Sequence, residues 1–278
     1  MNGLQHELEG RRETLRAQGL YRELRRVDSP QVPRLVLGGQ ELLSFSSNDY
    51  LGLANEPAVK EAAREAVERY GAGAGASRLL CGSLAPHHQL EEALAQFKGT
   101  EAALSFATGY AAAQGAICSL LGKADLIILD KLVHACIVDA ARLSGAKLRV
   151  FAHNELNDLE GILRWAAERP RGSHPAGRTA PLIVTESVFS MDGDHAPLRE
   201  LVELKERYGA WLMVDEAHAT GLYGPHRRGL AEQLGVGQSI ELQMGTLGKA
   251  LGASGGYIAG SRTLVDYLIN SARSFIFS

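Results

Sequence analysis

The chain has 278 residues, of which 45% are hydrophobic and 22% are charged, a composition typical of globular proteins. Its formal net charge of −3 gives no reason to expect binding to nucleic acid or to an anionic membrane surface. No apolar run reaches the roughly 18 residues of a membrane-spanning helix, and the first residues have neither the apolar core nor the cleavage site of a signal peptide.

The N-terminal part of the chain predicts a helical arm followed by a hairpin. The first stretch, to about Arg26, is charged with helical spacing, and Pro30 and Pro33 end that pattern. The sequence "PRLVLGGQELLSF" predicts two strands that turn at Gly38 and Gly39.

The rest of the chain alternates helical patterns with short apolar runs. Helical spacing occurs after Tyr110 and in residues 56–70, 86–97, 132–144, 156–168 and 197–208. The apolar runs "ADLIILD", "KLRVFAH", "PLIVTESVF" and "WLMVDEAH" end in polar residues, as do buried parallel strands with site residues at their carboxyl ends. We predict an α/β fold with a mostly parallel sheet between helices. The expected domains are an N-terminal arm and hairpin over 1–45 and a large domain over 46–278.

No feature predicts a cross-linked domain or a linker to a further one. The Pro/Gly-rich residues 168–181 are typical of a surface loop. Cys81, Cys118 and Cys136 are odd in number and widely spaced, which argues against a disulfide framework or a zinc knuckle. We expect free thiols and a cytoplasmic location.

One lysine, Lys249, stands among small residues in "GTLGKALGASGG", residues 245–256. A P-loop would need glycine in place of Gln243 and a hydroxyl in place of Ala250, so that motif fails twice. The sequence "GAGAGAS" (71–77) has the spacing of a dinucleotide-binding loop but follows a helical pattern instead of a strand. A lysine amine in a partly desolvated site can instead form a Schiff base with an aldehyde such as pyridoxal phosphate.

Enzymes that use pyridoxal phosphate pair this lysine with an acid at the pyridine nitrogen. Asp215 follows an apolar strand, where a carboxylate needs a cationic partner to tolerate burial. His218 is three residues further on and can bond the phenolic oxygen of the cofactor. A phosphate favours backbone N–H groups at a helix start, and Thr108, Gly109 and Tyr110 precede an Ala-rich helical pattern.

Each of these residues also has an ordinary structural explanation. Asp215 can cap a helix, His218 can be a core histidine, and a single lysine is usually a surface charge. Asp215, Glu216 and His218 together are also compatible with a metal-dependent hydrolase, although neither H-x-x-x-H nor C-x-x-C spacing accompanies them. The combination of an acid after one strand and a lysine after the next favours the pyridoxal-phosphate interpretation.

Six motifs, taken in order, resemble those of the α-oxoamine synthases, a family of fold-type I pyridoxal-phosphate enzymes. They are "SNDYLGL", "GAGASRLLCGS", "HHQLEEALA", "TESVFSMDGDHAPL", "VDEAHATG" and "GTLGKALGASGG". The resemblance implies the large domain of that fold type, with Lys249 covalently attached to the cofactor and Asp215 at its pyridine nitrogen. The implied cofactor residues are Thr108, Gly109, Tyr110, His134, Ser190, Asp215, His218, Thr246 and Lys249. The implied catalytic residues are His134, Asp215 and Lys249, and the implied substrate residues are Arg22, Asn48 and His134.

The family implies a decarboxylative condensation of an amino acid with an acyl-CoA. The motifs are most similar to the branch that joins L-alanine to pimeloyl-CoA in biotin synthesis, and 2-amino-3-ketobutyrate CoA ligase and 5-aminolevulinate synthase are the alternatives. The resemblance also implies a homodimer with a shared active site, and neither nucleic acid nor membrane as a partner. Family members continue into a smaller C-terminal domain, whereas this sequence ends at Ser278. We therefore expect that domain to be absent, and a catalytically poor cofactor-binding fragment is a further alternative.

Overall fold

A computed structural model describes residues 3–168 and 180–277. Most of the loop predicted over 168–181 lies outside the described residues. The chain divides into two compact units, residues 1–47 and residues 48–278. Within the described part of the chain, no helix is both long enough and apolar enough to cross a membrane.

The first unit contains one helix and one hairpin. Its elements are α1 (Gly3–Ala17), β1 (Arg34–Leu37) and β2 (Gln40–Leu43). The strands are antiparallel, and the turn between them places Gly38 at φ 58° and Gly39 at φ 81°. Both φ values are positive, as the two-residue hairpin turn requires, so the predicted hairpin is confirmed.

The prediction that the first helix continues to about Arg26 is wrong, because α1 ends at Ala17. Gly19 has φ 68°, a left-handed conformation that terminates helices. Its N–H donates to the Arg16 carbonyl at 3.0 Å, and the Leu20 N–H donates to the Leu15 carbonyl at 2.8 Å. The charged pattern therefore continues past a glycine that ends the helix.

The second unit is a seven-stranded sheet covered by helices. Its strands are β3 (Ala102–Phe106), β4 (Leu126–Asp130), β5 (Lys147–Phe151), β6 (Leu182–Glu186), β7 (Trp211–Asp215), β8 (Leu242–Thr246) and β9 (Gly256–Gly260). Their order is β3-β9-β8-β7-β6-β4-β5, and β9 is antiparallel to both of its neighbours. The pairs from β5 to β8 are parallel, which confirms the predicted mostly parallel sheet.

Helices cover both faces of this sheet. The α-helices of this unit are α2 (Pro57–Tyr70), α3 (Ala85–Lys98), α4 (Gly109–Leu120), α5 (Ala135–Ser144), α6 (Leu156–Ala167), α7 (Leu198–Tyr208), α8 (Leu230–Gln233), α9 (Arg262–Ser271) and α10 (Arg273–Ile276), of which α2 buries no residue. Alternate strand residues serve the two faces. On β6, Val184 packs in a cluster with α4, α5, α9 and α10, whereas Ile183 packs in a cluster with α6 and α7. Parallel strands buried on both faces explain the continuous apolar runs.

Two elements next to the site differ from the sequence prediction. The helix predicted from residue 132 begins at Ala135, because His134 caps it: its Nδ1 accepts a hydrogen bond from the Cys136 N–H at 3.2 Å. Strand β9 was not predicted, since its sequence is short and rich in glycine. A Cβ on Gly256 would lie 2.6 Å from the Gly109 Cα, so glycine is needed for the start of α4 to approach the sheet.

A fully buried ion pair joins α3 to the end of β7. The ammonium of Lys98 contacts Glu216, and the two side chains are 1% and 0% exposed. Lys98 also donates to the Arg228 carbonyl, and Glu216 Oε1 accepts from the Ala231 N–H at 2.9 Å. Because Glu216 directly follows Asp215, the pair fixes the backbone that positions Asp215.

We expect Lys98→Met to lower the free energy of unfolding by about 3–5 kcal/mol, because it leaves the Glu216 carboxylate buried without a cation. Lys131→Met, at an exposed lysine, is the control and should change it by less than about 0.5 kcal/mol. Denaturant titrations measure both values. Adding Glu216→Gln to Lys98→Met should recover part of the loss. Equal losses in the two lysine variants would contradict the role of the pair.

Candidate active site

A cavity of about 200 Å³ lies at the carboxyl ends of β6, β7 and β8. Its lining residues are Gly109, Tyr110, His134, Cys136, Glu186, Asp215, Ala217, His218, Met244, Thr246 and Lys249. Seven residues predicted from the sequence meet here, namely Gly109, Tyr110, His134, Asp215, His218, Thr246 and Lys249. The edge of a parallel sheet where strands end is the usual place for a ligand in such folds.

Lys249 lies in a tight loop after β8. Its Nζ donates to Thr246 Oγ1 at 3.3 Å, and its carbonyl accepts from the Gly252 N–H at 2.9 Å. Gly252 has φ 66°, and a Cβ there would lie 2.4 Å from the Ala54 backbone nitrogen. The small residues around the lysine therefore allow its loop to fold back against neighbouring backbone while the amine faces the cavity.

Asp215 is the buried acid of the cavity, with only 5% of its surface exposed. Its Oδ1 accepts a hydrogen bond from the Ala217 N–H at 2.9 Å. Burial raises the pKa of Asp215, and this hydrogen bond and the positive charge of Lys249 only partly oppose that rise. A cationic ligand beside Asp215 would therefore stabilise the ionised carboxylate.

Glu186 is a second buried acid, which sequence reasoning missed. It is 3% exposed, and its Oε1 has no hydrogen-bond partner among the described residues. Burial and the nearby Asp215 raise the pKa of Glu186 to about 8. Its position at the end of "PLIVTE" matches that of Asp215 at the end of "WLMVD", and this parallel was the signal that could have identified it.

His218 is held by a short hydrogen-bond chain. Its Nδ1 is 2.8 Å from the Tyr50 hydroxyl, and that hydroxyl lies 3.2 Å from Asn48 Oδ1. Burial, together with the positive charge of Lys249, lowers the pKa of His218 to about 4. The imidazole is therefore neutral at neutral pH, with Nδ1 able to accept from Tyr50.

The start of α4 forms the wall of the cavity next to β8. Thr108 caps this helix, with its Oγ1 accepting from the Ala111 N–H at 3.0 Å. A Cβ on Gly109 would lie 2.6 Å from Thr246 Cγ2, so glycine lets the helix start approach the strand end. The first N–H groups of a helix lack partners within the helix and favour an anion.

Several predicted site residues do not line the cavity. Thr108 acts as the helix cap, Ser190 is exposed after β6, and Asn48 contacts Tyr50, whose hydroxyl contacts His218. Arg22 lies in the first unit, in the exposed segment between α1 and β1, and its contact with an acyl-CoA stays a prediction.

The metal alternative finds no support in the described residues. Among them, no group of three or more His, Cys, Asp or Glu side chains could hold a metal ion. Glu216, which the hydrolase interpretation needs beside Asp215 and His218, is instead paired with Lys98.

Residues 40–278 match the sequence profile of the family described as aminotransferase class I and II. The chain belongs to this family. Two curated relatives are similar to this chain over nearly its whole length. The 8-amino-7-oxononanoate synthase of Geobacter sulfurreducens is 56% identical over 97% of this chain and 66% of the relative, and that of Geotalea daltonii is 53% identical over 96% and 66%. The chain thus spans just under two thirds of the length of these relatives.

Two solved structures also have folds similar to that of this chain. A serine palmitoyltransferase from S. paucimobilis with bound PLP aligns with a TM-score of 0.88 and 33% identity, over all of this chain and 69% of that one. An 8-amino-7-oxononanoate synthase from Francisella tularensis aligns with a TM-score of 0.69 and 29% identity, over 84% and 62%. These likenesses confirm the resemblance to the α-oxoamine synthases and the fold-type I architecture.

The lowered pKa of His218 predicts an acid-sensitive contribution to stability. Between about pH 6.5 and pH 4 the unfolded chain binds a proton at this histidine and the folded chain does not. The free energy of unfolding therefore falls as the pH is lowered through that window. His218→Asn should show a smaller loss between pH 7 and pH 5 than the unmodified protein, measured by denaturant titration without cofactor. Identical losses would show that His218 has an ordinary pKa.

Proposed function

We propose that this protein is a pyridoxal-phosphate-dependent 8-amino-7-oxononanoate synthase. It condenses L-alanine with pimeloyl-CoA and releases CoA and carbon dioxide. The observation that carries the proposal is the shared cavity of the Lys249 amine and the buried Asp215 carboxylate. The choice of reaction follows the curated relatives, which are about 50–56% identical to this chain.

The residues of the cavity fit the chemical groups of pyridoxal phosphate. A primary amine at Lys249 matches the aldehyde, the carboxylate of Asp215 matches a protonated pyridine nitrogen, and the start of α4 matches the phosphate. The unpartnered Glu186 Oε1 also shows that this cavity has hydrogen-bonding capacity that the described residues do not satisfy. When bound, the cofactor supplies an electron sink for the carbanion formed at the amino acid.

We assign roles to the side chains of this chain on that basis. Lys249 holds the cofactor and moves the proton at the Cα atom of the amino acid, with its Nζ oriented by Thr246. Asp215 holds the proton on the pyridine nitrogen. His218, oriented by Tyr50, donates to the phenolic oxygen of the cofactor. His134, at the start of α5, contacts the cofactor and the substrate.

Other parts of the proposal rest on the family alone. We assign Ser190 to the cofactor, Asn48 to the amino-acid substrate and Arg22 to the acyl-CoA. We also propose a cytoplasmic homodimer in which both subunits contribute to each active site. Sedimentation analysis of the cofactor-loaded protein tests this state, and a monomer would contradict it.

Lys249 is expected to be the residue that binds the cofactor covalently. Incubation with pyridoxal phosphate, reduction with borohydride and peptide mass mapping should place the label on Lys249, and Lys249→Ala should take up none. The exposed Lys131 provides the control, since Lys131→Ala should label as the unmodified protein does. Label on another lysine, or on none, would contradict the proposed function.

Asp215→Asn is expected to keep the fold and to lower the rate of CoA release by about 10²–10³-fold. The neutral amide cannot hold the pyridine nitrogen protonated, so the carbanion is less stabilised. The assay follows CoA release from pimeloyl-CoA with L-alanine, and glycine and L-serine test the choice of amino acid. Asp266→Asn, at an exposed position on α9, is the control. A rate within a few-fold of the unmodified protein would assign Asp215 another role.

A further inference from the structure

Glu186 and Asp215 occupy equivalent positions on neighbouring strands. They are the last residues of β6 and β7, and they are register partners in the parallel ladder. Register partners in a parallel sheet point their side chains to the same face. Both carboxyl groups are at least 95% buried, and both line the cavity.

The surroundings of Glu186 cannot stabilise two negative charges. The ionisable groups that line this cavity besides Glu186 are Asp215 from β7, His218 after β7, Lys249 after β8, Tyr110 from α4, His134 at the cap of α5 and Cys136 from α5. Backbone N–H groups of His134 and Ser190 offer the carboxyl hydrogen bonds, and Lys249 adds a positive charge. These contacts do not offset burial and the repulsion from Asp215. When two buried carboxyl groups share a site, one of them keeps its proton.

The choice of which acid keeps the proton follows from their bonds. Both carboxyl groups accept backbone N–H bonds, Asp215 from Ala217 and Glu186 from His134 and Ser190, but they differ in their remaining oxygens: neither Asp215 oxygen is buried without a partner among the described residues. Glu186 Oε1 is buried and has no partner among the described residues. A carboxylate oxygen in that position would lack a donor, whereas a protonated Oε1 is itself a donor that a bound group can satisfy.

We propose that Glu186 is a positioning residue that stays protonated while Asp215 is ionised, so that the ends of β6 and β7 present a single negative charge to the cofactor. The inference rests on the proposed function for the identity of that cofactor. Its consequence is that Glu186 and Asp215, although adjacent and equally buried, respond in opposite ways to the same change from carboxyl to amide.

The test compares Glu186→Gln with Asp215→Asn. Glutamine reproduces a neutral, hydrogen-bonding Glu186. At pH 7 we therefore expect Glu186→Gln to bind pyridoxal phosphate with a dissociation constant within about threefold of that of the unmodified protein. The absorption spectrum of the bound cofactor should be unchanged. Asp215→Asn should weaken binding by about tenfold or more, because it removes the only negative charge. Glu186→Ala should weaken binding several-fold by removing the hydrogen bond. Binding as weak in Glu186→Gln as in Asp215→Asn, or unchanged in Glu186→Ala, would overturn the proposal.

Infrared spectroscopy of the cofactor-free protein tests the proton directly. The spectrum of the unmodified protein minus that of Glu186→Gln should contain the carbonyl band of a protonated carboxyl group at pH 7. That band should give way to a carboxylate band as the pH rises through about 8. A carboxylate band at pH 7 would overturn the proposal. Absence of pyridoxal-phosphate binding by the unmodified protein would instead refute the proposed function and leave this result unaffected.

Discussion

The burial of Asp215 is the constraint on which the site depends. A carboxylate that is 5% exposed at the end of a parallel strand needs compensation from hydrogen bonds and cations. The structure supplies one backbone hydrogen bond and places Lys249 in the lining of the same small cavity. That compensation is incomplete, because the pKa of Asp215 is still raised. A cationic group bound beside Asp215 would therefore stabilise its ionised form, which is the basis of the role proposed for it.

The two adjacent acidic residues of the sequence "DEAH", Asp215 and Glu216, have different roles. Asp215 faces the cavity, whereas Glu216 is turned away from it and pairs with Lys98. The same short segment then returns His218 to the cavity, where its Nδ1 lies 2.8 Å from the Tyr50 hydroxyl. Glu216 lies between Asp215 and His218 in the sequence, and its ion pair with Lys98 is costly to break. The pair therefore limits the movement of the backbone that carries both cavity residues.

The sequence predicted the continuous apolar strands well because burial on both faces leaves an unmistakable pattern. It also predicted Lys249, Asp215 and His218 as neighbours, since polar residues after adjacent parallel strands meet at one edge. It failed where long-range packing decides the structure. Strand β9 is rich in glycine because the start of α4 approaches it, and no local preference reveals that. The end of α1 at Gly19 was missed because charge spacing outweighed a helix-terminating glycine.

The lysine stands among small residues because its loop must make two close approaches. Gly252 packs against the backbone at Ala54, and at the other end of the loop the N–H of Leu247 donates to the Gly255 carbonyl at 3.0 Å. Any larger residue at Gly252 would push the loop outward, and Lys249 would move with it. The loop thus fixes the position of a flexible side chain through its backbone. A carboxylate fixed by a strand end and an amine fixed by a glycine-rich loop therefore line the same cavity, and each is held there by its own backbone.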